Sequence, residues 1–471
     1  MAKHLVAGTT VENVTRLHEK YGEVVRLSPN EVSFISGETA WQDIYGFRTG
    51  KMKGHENMPK DPAWYAPPPT ASHIIVANDV DHTRFRRTLS HAFSEKALAQ
   101  QEVLIQGYVD QLVKQIKEVI SKDNVPLDMT QWFNWCTFDI IADLVFGEPF
   151  GNLQERATHK HIDLLFSSLK AFRFFYAKYY WPFLTRSVNA MAPKGIMKAR
   201  QEWYHWVAFK TKARVEKETQ RPDFMTEILK HNGEKGVQLT DAELSSNASV
   251  LLIAGSETTA TLLSGVTYCL LKNPRVLQKL KNEVRGQWKE YNDITLDEVS
   301  KSPYLLAVLQ EALRYFPPVP TGFERRVAKG GESVSGYFMP EGTALSVSSY
   351  PTAHSERNFK DPELFVPERW MGDARYANDN REAIQPFSFG PRNCIGRVSL
   401  AKGNLCYKSN MLISSRQNLA YAEMRLILAK IIWSFDLELD PKSENWMKEC
   451  KVMTLWQKPE LAVHVKEVAR G

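Results

Sequence analysis

Cys394 lies in the run Phe387-Ser388-Phe389-Gly390-Pro391-Arg392-Asn393-Cys394-Ile395-Gly396, whose residue types belong together chemically. A cysteine ligates strongly as its thiolate, and a nearby metal or helix N-terminus holds it in that form. Gly390 and Gly396 free the backbone to take positive φ and to bring amide N–H groups close to the sulfur. Arg392 presents a planar fork matched to carboxylates, and Phe387 offers a flat apolar face. A thiolate, a carboxylate clamp and an aromatic plate together suit a haem.

Three further groupings could do chemistry or support it. His82 and Arg86 stand four apart, on one face of a helix, so both can reach one anionic group. Ala254-Gly255-Ser256-Glu257-Thr258-Thr259 puts small and hydroxylated residues inside an apolar helix. Such residues weaken the backbone ladder and can admit a water or ligand into a local bend. An acid between Leu251-Leu252-Ile253 and Leu262-Leu263 is costly to bury without a task. Glu311 and Arg314 pair at i, i+3, and Arg369 follows in Pro367-Glu368-Arg369-Trp370.

Together these stretches resemble the cytochrome P450 family. F-x-x-G-x-R-x-C-x-G is that family's haem loop, complete here, and A-G-x-[DE]-T-T is its oxygen-binding segment. The resemblance spans residues 15–470 and implies a mainly α fold with a small β lobe. It implies heme b with its iron axially ligated by Cys394, held by Phe387, Gly390, Arg392, Gly396, His82 and Arg86. Arg326 lies where the family often has a further propionate ligand. Thr258 is expected to donate a hydrogen bond to dioxygen, and Glu257 to share in proton supply. Glu311, Arg314 and Arg369 match a structural Glu-Arg-Arg cluster.

The activity so implied is insertion of one oxygen atom into a small apolar organic substrate, in keeping with fungal secondary metabolism. No flavin or iron–sulfur segment is visible, so a separate NADPH-dependent flavoprotein reductase is expected. The resemblance also implies the cytosolic face of the endoplasmic reticulum membrane. Two rivals stand beside this reading: a reductase-independent haem-thiolate isomerase or dehydratase, and a non-functional product of a misassembled gene.

The elements that must position these residues are legible in part. The chain of 471 residues has no linker, repeat or low-complexity run, and reads as one large catalytic domain. A formal charge of +6 without a dense basic tract speaks against a nucleic-acid partner. Cys136, Cys269, Cys394, Cys406 and Cys450 are too scattered for a disulfide framework. No run of about 18 uncharged apolar residues exists, so no transmembrane helix is predicted. The N-terminal anchor of the family's fungal microsomal members is expected to be absent, or the chain's start assigned late.

Thr240-Asp241-Ala242-Glu243 is a capping box that opens a helix predicted to run to Lys272. Leu104, Tyr108, Leu112, Ile116 and Ile120 mark a second helix by their spacing. Hairpins are predicted from 23–35 around Pro29, from 333–347 around Pro340-Glu341-Gly342, and from 452–465. Residues 63–80 read as an irregular loop that roofs the pocket. The aromatic stretch 164–184 suits either core packing or a lid that leans on a membrane surface.

Behind the cysteine the family pattern breaks. Its continuation, Asn418-Leu419-Ala420-Tyr421-Ala422-Glu423, comes only after twenty extra residues, 398–417. Val398-Ser399 can be encoded as a fungal donor splice signal, Ser409-Asn410 as a branch site, and Gln417 can end in AG. The segment is therefore read as a retained intron, and poor haem retention is expected of the chain as written.

Overall fold

The computed structural model describes residues 1–470 except 66–67, 69, 124, 168–193, 218, 220, 237, 398–418 and 453–454. Most of the aromatic 164–184 stretch and the whole 398–417 insert lie outside the described residues. The remainder is mainly helical with small sheets, as the fold class predicts.

The central element is the helix Asp241–Lys272. It starts where the capping box places it: Thr240 Oγ1 accepts from Glu243 N at 3.3 Å, and Thr240 N donates to Glu243 Oε2 at 2.9 Å. It is the one described helix long and apolar enough to cross a membrane, and 78% of its apolar window is buried inside the protein. It packs most extensively on the helix Met129–Phe146, which is buried on nearly every face. Gly255 permits that approach, because a Cβ there would lie 2.6 Å from Ile141 Cδ1.

The helix is continuous through the Ala254–Thr259 segment. Thr258, Ser264 and Thr267 donate to the carbonyls four residues back at 2.7, 2.8 and 2.7 Å, and Ser256 does likewise to Leu252. These hydroxyls share the carbonyls of the backbone ladder, the arrangement by which Ser and Thr slightly weaken a helix.

The helix Glu95–Ile120 buries Ile105, Val109, Leu112 and Ile116, a stripe turned slightly from the predicted one. Leu419–Ser434 returns to the core directly after the insert, buried from Glu423 to Ser434.

A four-stranded sheet forms the β lobe. Val24–Ser28 pairs antiparallel with Glu31–Phe34, the first predicted hairpin, and Glu31–Phe34 then pairs in parallel with Ala344–Val347. Arg325–Arg326 closes the far edge. The other two predicted hairpins are re-paired. Glu332–Val334 turns back onto Tyr337–Met339 at Ser335-Gly336, where φ is 48° and 83°. Two successive positive-φ residues make the tight turn that hairpins favour, so the chain reverses before Pro340. Ala462–Glu467 pairs with Phe435–Leu439 and Leu127–Asp128, while Lys451–Val452 pairs with Trp456–Gln457.

Candidate active site

Pro391 fixes a 3-10 turn over Gly390–Arg392, which sets the cysteine loop. Cys394 N donates to Phe387 O at 2.8 Å and so closes the loop on itself. Gly390 has φ 72°, and a Cβ there would fall 1.9 Å from Tyr45 O, so only glycine fits. Gly396 is less constrained: its Cβ would meet Cys394 Sγ at an ordinary 3.6 Å. Phe387 is half-buried, with its ring 5.4 Å from that of Tyr421.

Among the described free cysteines Cys394 alone is exposed; Cys136, Cys269 and Cys450 are buried. Protein crowds the inner side of Cys394, and solvent reaches the other. Crowding raises its thiol pKa, against the amide N–H of Gly396 and the charge of Arg86, which lower it. A metal on the open side would hold the thiolate outright.

Beside the loop, positive charge gathers. Arg86 donates to Asn393 O at 2.6 Å and to Asn393 Oδ1 at 2.9 Å, tying its helix, Asp79–Leu89, to the residue before the cysteine. Arg392 donates to Asp79 Oδ1 at 2.6 Å and Ala77 O at 2.8 Å, and its Nη1 is buried without a partner. His82 is buried, and burial together with Arg392, Lys60 and Arg86 holds its pKa down to about 3. Burial and the charges of Arg325 and Arg392 push the Lys60 pKa well down. Asp79 is the one carboxylate that answers Arg392 among the described residues. Cations pressed together in this way suit a dianionic partner, and the propionates of a haem supply that charge.

Arg326 does not join this group. Its guanidinium donates to Gly342 O at 2.6 Å and lies 3.1 Å from Asp61 Oδ2. Alternation along the strand sends its neighbour Arg325 the other way, to a cleft lined also by His82, Asp79, Tyr45 and Arg392. Arg325 Nε is buried without a partner.

On the central helix Ala254 is exposed and Gly255 and Thr258 are half-buried, a contrast with the buried residues around them. Glu257 points away from that face. Its Oε1 accepts from Lys458 Nζ in a buried ion pair, and Lys458 also donates to Thr261 Oγ1 at 2.8 Å. Glu257 Oε2 is buried and without a partner. Behind the helix Glu423 is fully enclosed, 3.4 Å from Thr259 Oγ1, and burial pushes its carboxyl up to about 8.

Glu311, Arg314 and Arg369 meet with no exposed side-chain surface. Glu311 accepts from Arg314 Nη2 at 2.7 Å, Arg369 Nε at 3.1 Å, Trp370 Nε1 at 2.8 Å and Val366 N at 2.9 Å. Arg369 also pairs with Asp379. This network fixes the segment that leads into the cysteine loop.

Sequence reasoning missed Arg325, Lys60 and Lys458. For Arg325 strand alternation held the signal; for Lys458, some two hundred residues from its partner, no local pattern did.

The sequence pattern of the family "Cytochrome P450" matches residues 3–405, and the match stops inside the 398–417 insert. The cytochrome P450 monooxygenase traB of Penicillium crustosum is 55% identical over 100% of this chain and 89% of its own length. The cytochrome P450 monooxygenase efuB of Hormonema carpetanum is 43% identical over 96% and 86%. The trichothecene C-15 hydroxylase of Fusarium sporotrichioides is 39% identical over 95% and 86%.

Proposed function

This chain belongs to the cytochrome P450 family, and from that premise we propose that it hydroxylates a small apolar metabolite of a fungal secondary pathway. It is a monooxygenase whose haem iron is ligated by a cysteine. On this reading the cysteine is Cys394, electrons come from an NADPH-dependent flavoprotein reductase, and the enzyme works at the cytosolic face of the endoplasmic reticulum membrane.

When bound, the haem supplies the dioxygen chemistry, which thiolate ligation favours by pushing electron density towards O–O cleavage. The chain's own residues hold, orient and supply protons. Phe387 and the loop backbone flank the ring, and the amides of Gly396 and Arg397 support the sulfur. Arg86, Arg392 and Arg325, which replaces Arg326 in this role, would carry the charge that meets the propionates, and His82 would offer a neutral ring N–H beside them. Thr258 offers its oxygen on the exposed face of the central helix, with its own proton held on Ala254 O. Glu257, the next residue back, is assigned a share in proton supply from its place in the motif, with its carboxylate turned to Lys458 behind the helix. The name of one relative, the trichothecene C-15 hydroxylase, supports hydroxylation as the reaction.

The open sulfur of Cys394 beside an under-neutralised cation cluster carries the proposal. Its test is the reduced carbon-monoxide difference spectrum of the purified protein, with Cys394→Ser beside it. A haem-thiolate band present in the parent and lost in the variant is expected. Turnover without any reductase would overturn the electron source, and an unchanged band in the variant would overturn the ligand.

A further inference from the structure

The helix Phe224–His231 ends against the 3-10 turn Ser90–Phe93, which follows the helix that carries His82 and Arg86. There the rings of His91 and His231 stack, with centroids 3.7 Å apart and planes 2° from parallel. His231 Nδ1 lies 2.8 Å from the carbonyl oxygen of Glu227. A carbonyl can only accept, so Nδ1 carries a proton, and in the neutral ring Nε2 carries the lone pair. That nitrogen faces Glu234 Oε1 at 4.0 Å, while the Glu227 carboxylate stands 4.0 Å from Nδ1. A lone pair turned towards an anion is repulsive until a cation comes between them. The His91 ring has no hydrogen bond among the described residues, and burial beside His231 lowers its pKa, which keeps it neutral.

We propose that His91, His231 and Glu234 form a binding site for a divalent transition metal of the zinc type. Each offers one ligand atom, and the three lie within 4.8 Å of one another. Bonds of about 2.0–2.2 Å bring tetrahedral ligand atoms to roughly 3.3–3.6 Å apart. The rings therefore tilt out of their stack, and Glu234 closes by about an ångström. Glu234 is free to do so, being 57% exposed on a short turn, and the His231 side chain is 18% exposed, which leaves an entry from solvent. The Nδ1–H bond to a backbone carbonyl is the outer support that orients a ligating imidazole. Two imidazoles and a carboxylate favour zinc over calcium or magnesium, which prefer all-oxygen sets. The two carboxylates beside the ring pair also suit a dication.

An ion here ties the segment after Arg86 to the turn that precedes Thr240, the cap of the central helix. The helix that carries His82 and Arg86 and the start of the central helix thereby gain a common brace.

The test is a calorimetric titration of tag-free, metal-stripped holoprotein with Zn2+, together with the thermal midpoint. One equivalent bound and a raised midpoint are expected at about pH 7.5, and both fall away on acidification, because protons compete with the metal for its ligands. His91→Ala and Glu234→Gln each weaken binding about tenfold or more, with an unchanged haem spectrum. Glu234 is more than half exposed, so its variant keeps the fold and decides the matter if His91→Ala does not. Absence of binding in the parent, or undiminished binding in Glu234→Gln, overturns the site.

Discussion

Lys458 illustrates how one side chain sets the state of another. It reaches from the turn after Trp456–Gln457 into the central helix and meets Glu257 where neither side chain is more than 4% exposed. Removing one member of a buried pair leaves the other charge uncompensated, typically at about 3–5 kcal/mol. Lys458→Met is therefore expected to lower the unfolding free energy by about that amount, with Lys458→Arg keeping most of it; denaturant melts of the three proteins test this. Glu423 gives a prediction with a pH signature. Its carboxyl, ordinarily near 4.5, is raised to about 8 in the folded protein. Between those values the folded state keeps a proton that the unfolded state loses, so this group's contribution to stability declines as pH rises from 4.5 to about 8. Glu423→Gln should flatten that slope, measured as the thermal midpoint across the same window. Candidate residues stood out in the sequence wherever a motif carried them, as at Cys394 and Glu257. No motif distinguishes Arg325 from Arg326, two identical side chains that only the strand's alternation separates.

At the scale of elements, the cysteine loop depends on a network that does not touch it. Glu311 collects Arg314, Arg369, Trp370 and the amide of Val366, all from the run-up to the loop or the helix behind it. Arg369→Met leaves the Asp379 carboxylate without its cation in a dry site and removes one donor from Glu311, an expected loss of about 3–5 kcal/mol. Haem occupancy, read as the ratio of pigment to protein absorbance, should fall with it. The sequence made the helices readable because caps and apolar spacing are local: Thr240 and Glu243 announce one another three residues apart. Two of three hairpins were misread because strand partners are a tertiary choice. Ala344–Val347 prefers the first strands of the chain over its own neighbours, since Leu345 and Val347 join the apolar cluster of Val32 and Phe34.

At the scale of the molecule, the 398–417 segment stands directly between the cysteine loop and the helix Leu419–Ser434. The family pattern resumes if it is removed, and the family match ends within it. We read it as a retained intron. Deleting residues 398–417 is expected to raise the haem content of the purified protein several-fold, which the carbon-monoxide difference spectrum measures. Transcript sequences that keep the segment after splicing, or equal haem content in both forms, would refute this.

The parallel pairing of Glu31–Phe34 with Ala344–Val347 also has a consequence for how the protein is made. About 310 residues separate the two strands, and ribosomes add about 5–20 residues per second. The newborn N-terminal hairpin must therefore wait roughly 15–60 s with an unpaired strand edge before its neighbour emerges. Over that interval it needs shelter, so yield in a foreign host should respond to chaperone supply and slower growth more than to any change near the haem.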